Sequence, residues 1–161
     1  MIPDVSTQMD DFFTSDIRDR QEKIKNVFIC VVTNDVTKLQ HGPNHLYLPI
    51  VNLIKKAKLL FKGANIYFQS LLPMPLLSQF TRSNVLKFND IVLKACVAQK
   101  CFYLDVFGKF LDEYYCINPH LFRFNQSRNC IDVHLNSVGL GILARSYIDY
   151  IRPRRFNPIR F

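Results

Sequence analysis

Three polar residues carry the chemistry this chain could perform: Asp132, His134 and Asn34. The first two stand in Cys130-Ile-Asp-Val-His-Leu-Asn-Ser-Val-Gly139, which reads as a short turn holding a carboxylate beside an imidazole just before a helix. A histidine so placed is a candidate general base. It would take the proton of a hydroxyl nucleophile while the carboxylate fixes its tautomer and stabilises the imidazolium. Asn34, in Thr33-Asn34-Asp35 at the end of the apolar run 27–32, is a candidate amide donor to a developing oxyanion. Together they suggest an ester-hydrolysing site. Each part also has a plainer reading: Asp-x-His as a capping turn with a solvated histidine, Asn-Asp after a strand as an ordinary turn signal.

Other constellations carry less. His41 and His45 have the spacing of a helical metal pair, but Gly42-Pro43 breaks the helix that would align their rings, so no metal is expected. Tyr67 with Phe68, and Phe122 with Phe124, have the composition of a base-stacking platform, yet apolar alternation in half-buried segments explains them more simply. Five glycines form no phosphate-binding loop, and no cofactor is implied.

The elements that must position these residues are bounded by composition. With 161 residues, 48% hydrophobic and 13% aromatic, the chain suits one domain over 1–151 followed by a basic tail at 152–161. No window of about 18 uninterrupted apolar residues occurs, so no membrane span is expected, and the N-terminus lacks the basic start and apolar stretch of a signal peptide. An intracellular protein is the expectation. Five cysteines agree with it: the number is odd, no Cys-x-x-Cys pair occurs, and Cys30 and Cys96 fall in apolar patterns where a thiol acts as a small hydrophobe. The charge of +8 is concentrated at Lys55, Lys56, Lys58 and Lys62 and at Arg152, Arg154, Arg155 and Arg160. Two prolines keep that arginine tail extended, as a solubilising terminus or as a weak nucleic-acid contact.

Along the chain, helices and strands alternate. Thr7 with Asp10 forms a capping-box pair, and Met9, Phe12, Phe13, Ile17 and Ile24 continue at helical spacing to about Lys25. Val27 to Val32 reads as a parallel strand covered on both faces. Gln40 to Asn44 is a loop; Leu48, Val51, Ile54, Ala57 and Phe61 line a helix with Pro49 in its first turn and Gly63 closing it. Ala64 to Ser70 is the next strand, Val85, Phe88, Ile91, Val92 and Ala95 mark a third helix, and Cys101 to Phe107 a third strand. Gly108 to Asn129 is loop-rich, and the last helix spans about Ser137 to Ile151. Strands joined through helices require a parallel sheet, so the expected class is α/β, three layers with flavodoxin-like order.

With these segments in place, the chain resembles the SGNH (GDSL-type) hydrolases. Val31-Val-Thr-Asn-Asp35 is similar to that family's third block, Gly-x-Asn-Asp, and His134-Leu-Asn-Ser-Val-Gly139 to its last, Asp-x-x-His-Leu-x-x-x-Gly. The strand Ile66-Tyr-Phe-Gln-Ser-Leu-Leu-Pro73, the helix with Asn84 and Asn89, and the strand Tyr103 to Phe107 follow the family's order, from about Thr7 to Ile151. "Ser-Leu-Leu-Pro" with "His-Leu-Asn-x-x-Gly" most resembles the esterase-like domains carried by retrotransposons and some animal viruses.

The resemblance implies Asn34 as oxyanion donor and His134 as base of an acyl-ester hydrolase. It also exposes departures. The family's acid stands three residues before the histidine, where this chain has Ile131; Asp132 is one place late, which asks for a local bulge. Val32 replaces the third-block glycine, and no Gly-Asp-Ser block is present; Ser6 reads as a helix cap and Ser15 as a solvent-facing helical residue. The expectation is an SGNH-like domain lacking its first two strands and its nucleophile, inactive alone and serving as a binding module. An exposed sheet edge along Val27 to Val32 would then favour self-association or a protein partner. Ester hydrolysis by a completed form, and a nucleic-acid accessory role for the arginine tail, are the alternatives.

Overall fold

A computed structural model of the chain describes residues 23–30, 43–75 and 79–152. The expected first helix with Thr7 and Asp10, the serines Ser6 and Ser15, the Asn34-Asp35 pair, His41, and the tail arginines Arg154, Arg155 and Arg160 lie outside these residues. The chain divides into two compact units, residues 1–71 with 83–104, and residues 72–82 with 105–161.

In the first unit, three short strands, β1 (Asn26–Ile29), β2 (Asn65–Gln69) and β3 (Phe102–Leu104), pair in parallel in the order β1-β2-β3. Parallel neighbours need crossovers. They are supplied by α1 (Tyr47–Leu60) and α2 (Gln79–Gln99), as the alternation predicts. Asn26 stands opposite Asn65 and Phe28 opposite Tyr67, while Tyr67 in turn stands opposite Phe102. Beyond β2, the Ser70 amide donates to Leu104 O at 2.9 Å and so extends the pairing by a residue.

Helix α1 buries Ile50, Val51, Leu53, Ile54 and Ala57, a stripe at helical spacing. Leu48, counted from sequence on that stripe, is 67% exposed. Ile50 and Leu53 occupy the core-facing positions instead. Gly63 ends the segment at φ +80, a conformation that glycine adopts without steric cost. On α2, Val85, Phe88, Ile91, Val92 and Ala95 are all buried, as expected. Two polar residues share that face. Asn89 is buried because it serves the chain after β2: its Oδ1 accepts the Leu71 amide at 2.7 Å and its Nδ2 donates to the Leu71 carbonyl at 3.2 Å. Buried backbone groups without partners are costly, so this carboxamide substitutes for a strand where the strand has stopped.

Residues aligned across the strands pair like with like. Asn65 Nδ2 donates to Asn26 Oδ1 at 3.2 Å. Phe28, Tyr67 and Phe102 stack in a ladder with ring centroids 4.8 Å apart at each step. Such pairs contribute roughly 0.5–1.5 kcal/mol each beyond area burial. Burial within the ladder pushes the Tyr67 phenol above its ordinary range. Cys30, expected as an interior hydrophobe, is exposed just past β1, where its thiol donates to Gln69 Oε1 at 3.3 Å. Strand β1 is at one end of the described order, with Val27 and Phe28 half-buried and Ile29 buried. The expectation of a fully covered strand is corrected to that extent.

The second unit departs most from the sequence reading. The stretch expected to be loop-rich contains β4 (Phe122–Asn125), flanked by single turns of 3-10 helix at Phe107–Phe110, Pro119–Leu121 and Gln126–Arg128. β4 pairs antiparallel with β5 (Cys130–Leu135) through a turn in which Asn129 takes φ +47. The last helix, α3 (Ser137–Ile151), lies where expected. Val106, Phe110, Leu121, Phe122 and Leu135 are buried. Ahead of β4, a bridge between Leu111 and Ile117 closes a loop whose tip is held by Asp112, which accepts from the Tyr114 and Cys116 amides at 2.9 Å each. The loop presents Tyr114 and Tyr115, 77% and 86% exposed. Among the described residues no helix is long and apolar enough to cross a membrane.

Candidate active site

Asp132 and His134 do not sit in a turn. They lie on β5, where side chains two apart share a face, and this brings the carboxylate against the imidazole. The pairing of the two strands explains how. Phe122 stands opposite Leu135 and Phe124 opposite Ile131, so the single residue Arg123 faces Asp132, Val133 and His134. The strand therefore bulges at the site, carrying two residues more than its partner. A bulge takes amides out of the ladder. Asp132 Oδ1 compensates by accepting the Val133 amide at 2.6 Å and, more weakly, the His134 amide at 3.4 Å. Arg123 closes the far end, its Nε donating to Leu135 O at 3.1 Å.

The same Asp132 Oδ1 is 2.9 Å from His134 Nδ1. That bond is the largest cause holding the Asp132 carboxyl below its ordinary range; desolvation opposes it, and the Val133 and His134 amides add to it. With Nδ1–H donated to the carboxylate, Nε2 is the basic nitrogen. Among the described residues nothing bonds it. The imidazole is 71% exposed, its carboxylate partner 28%. The hydroxyls of Ser127 and Ser146 are engaged elsewhere, with Asn125 Oδ1 at 2.7 Å and Ile142 O at 2.9 Å.

Three residues after the histidine hold this strand end in place. Leu135 is buried. Asn136 caps α3, its Oδ1 accepting from the Val138 and Gly139 amides at 3.0 Å each, while its Nδ2 donates to the carbonyls of His120 and Phe122 at 2.7 and 3.1 Å. Gly139 packs on the Leu121 carbonyl so closely that a Cβ would stand 2.3 Å from that oxygen. Leu135, Asn136 and Gly139 are thus structural, while the histidine side chain stays exposed. Sequence reasoning missed Asn136 and Arg123 as positioning residues; Asn immediately before the apolar helix is the N-cap signal that would have found the first. The expected oxyanion donor Asn34 lies outside the described residues, and of the His41/His45 pair only His45 is described, exposed on a single turn. Among the described residues no three His, Cys, Asp or Glu converge as a metal site.

No family model and no curated protein matches the sequence. Solved structures do resemble the fold. The acetyl xylan esterase AlAXEase superposes with a TM-score of 0.67 at 18% identity, over 93% of this chain and 75% of that one. The OSK domain of Drosophila Oskar gives 0.65 at 10% identity, covering 79% and 62%. A GDSL-like lipase from Bacteroides thetaiotaomicron gives 0.55 at 17%, covering 77% and 60%. This chain thus spans less than two thirds of the length of the last two. The likeness shows the fold: mixed α/β with a parallel three-stranded sheet, as in these esterase and lipase structures.

Proposed function

We propose that the chain is an SGNH-hydrolase-like domain which retains the acid–base half of an ester-cleaving site and on its own acts by binding rather than by acyl transfer. The observation that carries this reading is the Asp132–His134 pair: joined at 2.9 Å, open to solvent, and engaged by no hydroxyl among the described residues. A base that no hydroxyl of the described residues approaches opens no covalent acyl-transfer route through those residues. The exposure of Tyr114 and Tyr115 on a loop tied by Asp112 supports a contact role, because aromatic side chains supply large interface area. The purified chain should turn over p-nitrophenyl acetate no faster than its His134→Ala variant, and a fluorophosphonate should label no serine. Turnover that depends on His134, or one labelled serine, would overturn the proposal.

The second reading is ester hydrolysis, favoured by the tautomer that Asp132 imposes and by the esterases among the structural neighbours. In it, Nε2 of His134 accepts the proton of a serine hydroxyl as that oxygen attacks the acyl carbon, then returns it to the departing alcohol. A chemical test separates the two readings: a chain carrying an added strand with Gly-Asp-Ser should gain His134-dependent turnover under this one.

A further inference from the structure

The C-terminal end of α2 closes in a Schellman motif. The Lys100 amide donates to Val97 O at 3.2 Å and the Cys101 amide to Cys96 O at 3.0 Å, with Lys100 at φ +49 between them. This pair of bonds dictates which side chains meet: the residue three before the cap contacts the residue two past it, a position usually filled by two apolar groups. Here both are cysteines. Cys96 is buried and Cys101 half-buried, and the cap geometry sets their side chains beside each other.

Lys58 reaches the same turn from α1. Its Nζ donates to the carbonyls of Gln99 and Lys100, the latter at 3.0 Å. A helix C-terminus normally disfavours a nearby anion, and an ammonium bonded to the terminal carbonyls offsets that field. The roles of the two sulfurs are therefore unequal. The hydrogen bond from Cys96 lowers the Cys101 thiol, burial opposes this, and Lys58 lowers it further. The same bond and burial both raise Cys96. A half-buried thiol beside a fully buried one, with an ammonium at the same turn, is the arrangement of an attacking and a resolving cysteine.

We propose that Cys96 and Cys101 form a dithiol modification site that reacts with low-molecular-weight disulfides such as oxidised glutathione. The Cys101 thiolate attacks one glutathione sulfur, the glutathione S–S bond breaks, and one glutathione leaves as its thiolate. Cys96 then gives its proton to solvent and attacks the Cys101 sulfur of the mixed disulfide, expelling the second glutathione. The two protein thiols lose two electrons and two protons, and the glutathione disulfide is reduced to two thiols. The product is a Cys96–Cys101 disulfide that ties the end of α2 to the start of β3. This site is independent of the Asp132–His134 reading.

The full chain, reduced and freed of reductant, tests this by incubation with oxidised glutathione, acid quench and tryptic digestion. Trypsin cleaves after Lys100 and so separates the two cysteines. The expected result is that peptides 95–100 and 101–109 travel as one species, two hydrogens lighter than their sum and resolved by dithiothreitol. Cys96→Ser should trap glutathione on Cys101, and Cys101→Ser should slow capture at residue 96 by about tenfold. Cys96 and Cys101 persisting as free thiols, or as separate adducts, while Cys30, Cys116 or Cys130 reacts would overturn the proposal; the unmutated chain reports this directly.

Discussion

Gly139 and the carbonyl of Leu121 are in closer contact than any side chain would permit. A Cβ at residue 139 would lie 2.3 Å from the Leu121 oxygen and 3.1 Å from a Leu135 methyl. That oxygen also accepts the Asn136 amide at 3.1 Å, so it cannot withdraw without breaking the helix entry. Gly139→Ala should therefore destabilise the chain by about 1–3 kcal/mol, the range for overpacking. Gly141 is the matched control: a Cβ there meets nothing within 4 Å. Gly141→Ala should leave stability unchanged or raise it by roughly 0.5–1 kcal/mol, because glycine inside a helix is unfavourable. Urea denaturation of both variants checks the contrast.

Asn89 satisfies two backbone groups at once, so its replacements should rank by what they leave behind. Asn89→Leu strands both the N–H and the C=O of Leu71, each costing about 1–3 kcal/mol. Asn89→Asp keeps an acceptor for the N–H but faces the carbonyl with another acceptor. Both should destabilise, and amide exchange at Leu71 should accelerate most in the leucine variant.

Asn136→Ala should cost about 0.5–2 kcal/mol as a lost cap, and more if the carbonyls of His120 and Phe122 stay without donors. Asn136→Ser preserves the acceptor for α3 but cannot reach both carbonyls. Its midpoint in denaturant should fall between those of the parent and the alanine variant.

The Asp132 carboxyl should titrate below the ordinary aspartate range in carbon-detected NMR, with its hydrogen bond to His134 as the main cause. Because the folded midpoint lies below the unfolded one, the stability tied to this group is present above the unfolded midpoint. It is lost as pH falls through the folded one. His134→Ala should move the midpoint upward toward the ordinary value. A midpoint unmoved by that substitution would show that the backbone amides, not the imidazole, hold the carboxylate.

Long periodic segments are legible in the sequence: α1, α2 and α3 lie near their expected bounds because their apolar residues repeat at helical spacing, and the β-branched or aromatic runs between them form parallel strands. Phe122-Arg-Phe-Asn125 was not legible as a strand. It is four residues long, follows Pro119, and gains meaning only from pairing with β5. In sequence the Asp132-Val-His134 segment reads as a turn because its polar residues outweigh the alternation of Ile131, Val133 and Leu135 around them. Its bulge depends on register against Arg123, which no local pattern encodes. Proximity of Asp132 and His134 was readable from spacing; what places them there was not. The apolar pattern around Cys96 foretells its burial, but its place beside Cys101 arises from helix-end geometry rather than from a cysteine motif.

The chain contains seven tyrosines and no tryptophan, and of the seven only Tyr67 is buried, between Phe28 and Phe102. That ladder crosses all three parallel strands, so it exists only when the strands are assembled in register. Its rings are held in an asymmetric environment, which gives the molecule a built-in optical reporter. Near-ultraviolet circular dichroism should carry a tyrosine signature that disappears when the sheet comes apart, and Tyr67→Phe should remove much of it while leaving the stack in place.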